Sequence, residues 1–88
     1  MIYCVEDERN IRELLIYTLE TTGFKARGFG NGNELMKALK EEIPELILLD
    51  IMLPKLSGFE VCQQIREFSN VPIIMLTAKG CLLYTSDA

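Results

Sequence analysis

The sequence contains no histidine. This absence excludes serine-histidine and cysteine-histidine catalytic triads, histidine general bases and most catalytic zinc sites. The cysteines are only three, Cys4, Cys62 and Cys81, and no Cys-x-x-Cys pair occurs among them. Their wide spacing and odd number favour free thiols in a reducing compartment over a zinc site or a disulfide framework.

Long apolar runs and basic runs are also absent. No stretch approaches the ~20 apolar residues that span a bilayer, and the first residues lack the basic flank of a secretory signal. Nine basic residues against 13 acidic ones give a net charge of −4, which argues against binding to a nucleic-acid backbone. We therefore expect a protein of the cytoplasm that contacts neither membrane nor nucleic acid through this segment.

The hydrophobic pattern of the 88 residues predicts one α/β domain. Short apolar runs at 2–5, 46–49 and 71–76 predict strands, and 24–28, where Lys25 and Arg27 alternate with other residues, predicts an edge strand. A helical period follows each of the first three strands. The order β-α-β-α-β-α-β predicts a doubly wound parallel sheet with right-handed crossovers. The continuous apolar run at 46–49 predicts a strand covered by helices on both faces.

Each predicted helix opens with a pair of residues that fits a capping box. The pairs are Asn10 with Glu13, Asn31 with Glu34, and Ser57 with Glu60. In the first helix, Ile11, Leu14, Leu15, Thr18 and Leu19 recur at helix spacing. The predicted stripes are Leu35, Ala38, Leu39 and Ile43 in the second helix and Val61, Cys62, Ile65 and Phe68 in the third.

Acidic residues stand where two predicted strands end. Glu6 and Asp7 follow the first strand, Asp50 follows the third, and Thr77 closes the fourth. Because ligands of open parallel sheets bind beyond the carboxyl ends of the strands, we expect these side chains to converge there. A hard divalent cation such as Mg²⁺ relieves the repulsion of clustered carboxylates. The turn 6–10 has no glycine, which excludes a glycine-rich phosphate cradle.

These residues resemble the receiver domain of bacterial two-component response regulators. The matching features are the acidic pair Glu6-Asp7, the run Asp50-x-x-x-Pro54-x-x-x-Gly58 and the Thr77-Ala78 pair, in the family's order and spacing over residues 1–79. The resemblance implies a flavodoxin-like fold that is incomplete here, because the final helix-strand-helix is missing. The last nine residues, 80–88, form a tail that does not match the family's pattern.

The resemblance also implies a phosphorelay function and a role for each matching residue. Asp50 would accept a phosphoryl group from a sensor histidine kinase, and Thr77 would hydrogen-bond that group. Asp7 would bind Mg²⁺ directly, Glu6 would bind it through water, and the carbonyl of Met52 would complete the ligands together with Asp50. The protein is then a signalling phosphoprotein and not an enzyme.

The sequence departs from the family's pattern after residue 79. The lysine that pairs with the phosphoryl group is missing, and Lys79 stands on the wrong strand to replace it. The surface through which the family dimerises is also missing, so we expect impaired activity, and the fourth strand is expected to be a bare apolar edge. Our hypothesis is a truncated or misjoined reading frame near Lys79-Gly80.

Two other interpretations remain open. The acids fit a phosphotransferase or phosphatase with an aspartyl-phosphate intermediate, although Met52 stands where such enzymes often have a second aspartate as proton donor. Alternatively, the segment is an inert interaction fragment: Asp50 only ends a strand, and Glu6 and Asp7 are first-turn acids favoured by the helix dipole.

Overall fold

The computed structural model describes residues 1–53 and 57–76 and the backbone of 82–85. The strands are β1 (Ile2–Val5), β2 (Ala26–Phe29), β3 (Leu46–Asp50), β4 (Ile73–Leu76) and β5 (Leu82–Thr85). The helices are α1 (Arg9–Thr21), α2 (Gly32–Glu41) and α3 (Gly58–Arg66). Among these, no helix is long and apolar enough to cross a membrane.

One sheet in the order β2-β1-β3-β4-β5 organises the molecule. The pairings of β1 with β2, β1 with β3, and β3 with β4 are all parallel. The prediction of a doubly wound, flavodoxin-like sheet is confirmed for these four strands and three helices. β2 lies at one edge, where Lys25 and Arg27 are exposed.

The opposite edge differs from the prediction. β5 pairs antiparallel with β4, in a register that joins Ile73 to Thr85 and Leu76 to Leu82. The expectation that β4 is a bare edge was therefore wrong. An unpaired strand offers a row of free backbone N–H and C=O groups, and a segment as rich in leucine, tyrosine and threonine as Leu82–Thr85 has the composition to pair with it.

The helices divide between the two faces of the sheet. Right-handed crossovers in this strand order place α1 on one face and both α2 and α3 on the other. Within β3 and β4, the side chains that point toward α2 and α3 are the most deeply buried: Ile47, Leu49, Ile73 and Met75 are each 0% exposed. The hydrophobic core lies on this side, which we call the covered face.

The other face, which we call the open face, carries only α1 among the described elements, and α1 packs against β1 and β2. Leu46 and Leu48 of β3 and Ile74 and Leu76 of β4 point this way and are only half-buried. The prediction of helices over both faces of β3 was therefore wrong for the described residues.

Two of the three predicted caps are present. Asn31 Oδ1 accepts a hydrogen bond from the Glu34 backbone N–H at 2.9 Å, and Ser57 Oγ accepts one from the Glu60 N–H at 3.3 Å. The first helix instead begins one residue before Asn10, with Glu8 at the N-cap and no side-chain cap. The Asn10–Glu13 cap was therefore wrong: the strand-helix turn is shorter than the capping pattern assumed.

The predicted stripes of α2 and α3 fail where a residue lies outside its helix. Leu35, Ala38 and Leu39 are buried, as are Val61, Cys62 and Ile65. Ile43 and Phe68 are 46% and 51% exposed, because α2 ends at Glu41 and α3 at Arg66. No residue of α1 is fully buried, and Ile11 and Leu14 are 44% and 63% exposed.

Candidate functional site

Three carboxylates meet at the carboxyl end of the sheet. Val5 of β1 pairs in register with Leu49 of β3, so the next residues, Glu6 and Asp50, are neighbours. Each of Glu6, Asp7 and Asp50 offers an oxygen, and these oxygens all lie within 4.8 Å of one another. The structure therefore brings together the three acids that the sequence placed at strand ends.

The three carboxylates differ in their access to solvent. Glu6 is only 7% exposed and is the buried charged residue of the described core, whereas Asp50 is half-buried and Asp7 is exposed. The cluster is thus closed on the side of Glu6 and open on the side of Asp7. A ligand from solvent has access to Asp7 and Asp50, while Glu6 forms the floor.

Burial and the neighbouring acids raise the pKa of Glu6 to about 7. Desolvation is the largest cause, followed by a side-chain hydrogen bond with Asp50; the negative charges of Asp50 and Asp7 act in the same direction. The hydrogen bond from the Glu8 backbone N–H to Glu6 Oε1, at 3.3 Å, opposes them. Near neutral pH, partial protonation of Glu6 therefore reduces the repulsion among the three carboxylates. A bound cation would reduce the same repulsion.

The backbone around Asp50 is fixed by three hydrogen bonds. Asp50 Oδ1 accepts one from the Met52 N–H at 3.0 Å, and the Ile51 N–H donates to the Leu76 carbonyl at 3.1 Å. The Gly58 N–H donates to the Ile51 carbonyl at 2.9 Å. Met52 therefore follows Asp50 in a tight turn beside the acidic cluster, with its side chain 66% exposed.

Gly58 allows α3 to begin directly against this turn. A Cβ atom at residue 58 would lie 2.5 Å from the Asp50 carbonyl oxygen and 2.8 Å from the Ile51 Cα. Both are backbone atoms that cannot rotate away, so only glycine fits here. The spacing of Gly58 from Asp50, noted in the sequence as a motif, is thus a packing requirement at the site.

The structure does not describe every residue that the sequence analysis singled out. Thr77 lies outside the described residues, as do Pro54 and Lys79. The roles predicted for Glu6, Asp7, Asp50 and Met52 stay predictions, although the positions of these residues agree with them. Cys4 and Cys62 are both buried, and neither forms a disulfide. Burial raises the pKa of the Cys4 thiol to about 11, which favours a packing role over a reactive one.

Sequence reasoning missed Arg12. Its Nη1 donates a hydrogen bond to the Glu6 backbone carbonyl at 2.7 Å, which ties α1 to the acidic turn. The one sequence feature that pointed to it is the glycine pair Gly28 and Gly30, two residues apart: Gly28 lies in β2 and Gly30 directly follows it. A Cβ at residue 28 would lie 2.6 Å from the Ile16 Cδ1 and 2.9 Å from the Arg12 Cγ, so the missing side chain of Gly28 makes room for both.

A second concavity lies away from the acidic cluster. It has a volume of about 360 Å³ and lies between β2 and α2, lined by Arg27, Gly28, Phe29, Glu34, Lys37, Ala38 and Glu41. Its two cations and two acids offset one another, and the Arg27 guanidinium lies over the Phe29 ring at 5.1 Å. None of the three clustered carboxylates lines it.

Comparison with protein families gives a match to the model described as "Response regulator receiver domain" over residues 2–88. Among curated proteins, the chain is 46% identical over 79 residues to a probable transcriptional regulator, ycf27, of Pyropia yezoensis. It is 48% identical over 79 residues to the alkaline phosphatase synthesis transcriptional regulatory protein PhoP of Bacillus subtilis. These alignments include 90% and 89% of this chain but 32% and 33% of the relatives, so the chain spans about a third of their length.

Solved structures show the same likeness. The response regulator protein TrrA of Thermotoga maritima, crystallised with Mg²⁺-BeF, superposes with a TM-score of 0.82 at 41% identity, over 88% of this chain and 68% of that one. The complex of the histidine kinase ThkA with TrrA gives a TM-score of 0.84 at 40% identity, over 98% and 73%.

Proposed function

Because the chain belongs to the response regulator receiver family, we propose that it is a Mg²⁺-dependent phosphoacceptor of a two-component phosphorelay, with Asp50 as the residue phosphorylated by a sensor histidine kinase. One observation carries the proposal: the oxygens of Glu6, Asp7 and Asp50 lie within 4.8 Å of one another at the end of a parallel sheet. The TrrA structures, one with Mg²⁺-BeF and one with a histidine kinase, support it from relatives.

The donor set fits a hard divalent cation. It consists of carboxylate oxygens, which Mg²⁺ prefers, and one of them belongs to Glu6, whose pKa is raised first by burial and further by the neighbouring acids. Asp7, Asp50 and the Met52 carbonyl would hold the ion directly, and Glu6 would hold it through water. Bound there, Mg²⁺ supplies positive charge that neutralises the oxygens of the transferring phosphoryl group.

The residues of this chain then act on the phosphoryl group in simple steps. An Asp50 carboxylate oxygen attacks the phosphorus of the kinase's phosphohistidine, so that a P–O bond forms while the P–N bond breaks. The electron pair of the broken bond stays on the imidazole nitrogen, which takes up a proton. The Met52 N–H, bonded to Asp50 Oδ1, orients the carboxylate, and we assign to Thr77 a hydrogen bond to the transferred group.

The test is phosphorylation of the purified chain with a small phosphodonor such as acetyl phosphate, with and without Mg²⁺. We expect a mass increase of one phosphoryl group that requires the cation and disappears in Asp50→Asn. The exposed Glu13→Gln variant is the matched control, because it removes a carboxylate of α1 outside the cluster. Phosphorylation that persists in Asp50→Asn, or that is absent from the wild-type chain, would contradict the proposal.

The same assay separates a phosphoacceptor from an enzyme. A receiver takes up about one phosphoryl group per chain, whereas a phosphatase with an aspartyl-phosphate intermediate turns over a phosphate ester continuously. We propose the former, acting in the cytoplasm. The transcriptional role named for the longer relatives is proposed only for a whole protein that contains this segment, and the missing dimerisation surface stays a prediction.

A further inference from the structure

Arg12 is a cation beside an acidic site, yet it donates a hydrogen bond to the backbone of that site. Its Nη1 donates to the Glu6 carbonyl at 2.7 Å, six residues back along the chain. This hydrogen bond fixes the backbone of the turn that carries Glu6 and Asp7.

The arginine stem lies against β2. Atoms Cγ and Cδ of Arg12 would lie 2.9 and 3.0 Å from a Cβ at residue 28, and Nη1 would lie 3.5 Å from one at residue 30. The stem thus occupies space that a side chain at residue 28 would need, whereas residue 30 would leave ordinary contact. A larger residue at position 28 would displace the stem that carries Nη1 to the Glu6 carbonyl.

The same turn is tied to β2 from its other side. The Glu6 N–H donates to the Phe29 carbonyl at 3.0 Å, so both polar groups of the Glu6 backbone have partners outside the turn. Glu6 carries one carboxylate of the cluster and its neighbour Asp7 carries another. Mutual repulsion of these groups favours an opened turn, and the Arg12 hydrogen bond opposes that opening.

We propose that Arg12 is a positioning residue for the divalent-cation site: it holds the Glu6-Asp7 turn in its binding geometry without touching the cation. This inference rests on the proposed function, since it concerns the same site. It assigns to α1 a part in cation binding that is separate from the ligands themselves.

The sign of the charge effect makes the proposal testable. Arg12 repels a bound cation, so removing its positive charge should strengthen cation binding if Coulomb interactions alone mattered. A positioning role predicts the opposite. Arg9 offers a matched control, because it lies one turn earlier on α1, carries the same charge and bonds to the exposed Glu13 at 3.0 Å.

The experiment is calorimetric titration of MgCl₂ and MnCl₂ into the wild-type chain, Arg12→Met, Arg12→Lys, Arg9→Met and Asp7→Asn, with cation-free thermal unfolding of each. We expect Arg12→Met to weaken binding at least threefold and Arg9→Met to leave it unchanged or slightly tighter. Arg12→Lys keeps the charge, but its ammonium ends short of the Nη1 position, so we also expect weaker binding. A role in folding alone would lower the melting temperature and leave the affinity of the folded protein unchanged.

Equal or tighter cation binding by Arg12→Met overturns the positioning role while the proposed function stands. If Arg12→Met does not fold, Arg12→Lys decides, and an unchanged affinity in that variant overturns it. Failure of the proposed function has a different signature: the wild-type chain and Asp7→Asn then behave alike, with no saturable binding, and the positioning role falls with it.

Discussion

The covered and open faces of the sheet are built from the same kinds of residue but differ in their packing. In β3, Ile47 and Leu49 point to the covered face and are 0% exposed, while Leu46 and Leu48 point to the open face and are half-buried. All four are aliphatic, so hydrophobicity does not distinguish them. The difference arises because two helices lie over one face and only α1 lies over the other. An apolar residue stabilises the fold in proportion to the area that its neighbours remove from water.

The largest expected effect tests this comparison within a single strand. Leu49→Ala should lower the free energy of unfolding by about 3–4 kcal/mol, because it leaves a cavity among packed side chains. Leu48→Ala, one residue earlier on the same strand, should cost about 1 kcal/mol, since its site is already partly hydrated. Urea unfolding of both variants measures the difference. Equal losses would show that the open face is covered in solution as fully as the other.

A smaller effect tests the same contrast of burial within the acidic cluster, between Glu6 and Asp7. The folded state holds the Glu6 proton more tightly than the unfolded chain, because its pKa is about 7 instead of 4.5. Between these pH values the folded state binds more protons, so stability falls as pH rises. Without divalent cations we expect a loss of roughly 1–3 kcal/mol across this range.

Unfolding curves at several pH values in the presence of a chelator measure this slope. Glu6→Gln should reduce it and should be more stable than the wild-type chain above pH 7, because no buried charge remains. Asp7→Asn removes an exposed charge that is only the last of the causes acting on Glu6, so most of the slope should persist. A slope that is the same in Glu6→Gln and the wild-type chain would assign the titration to another group.

The parts of the fold that the sequence predicted are those that depend on local or topological rules. Asp50 and the Glu6-Asp7 pair could be placed together because parallel strands end at one edge of a sheet. Asn31 and Ser57 were recognisable as caps because the capping hydrogen bond joins residues three apart in the sequence.

The parts that the sequence did not predict depend on partners distant in the chain. The apolar run of β3 does not reveal how many helices cover each face, and the periodicity of α1 does not show that Leu14 faces solvent. Arg12 was missed because its hydrogen bond to Glu6 depends on how α1 packs against Gly28 of β2, and no short motif encodes that packing. The pairing of β5 with β4 depends on a free edge that exists only after the sheet has formed.

The smallest expected effect concerns α1, which packs on the open face. Leu14 is 63% exposed, so Leu14→Gln, which keeps a good helix former, should change the free energy of unfolding by less than about 0.5 kcal/mol. The matched change Leu39→Gln on α2 buries an amide at a position only 3% exposed, and it should cost several kcal/mol. Measuring Leu14→Gln at two protein concentrations makes the comparison sharper. A loss above about 1 kcal/mol that grows with concentration would mean that a second copy packs against α1, because only association makes stability depend on concentration.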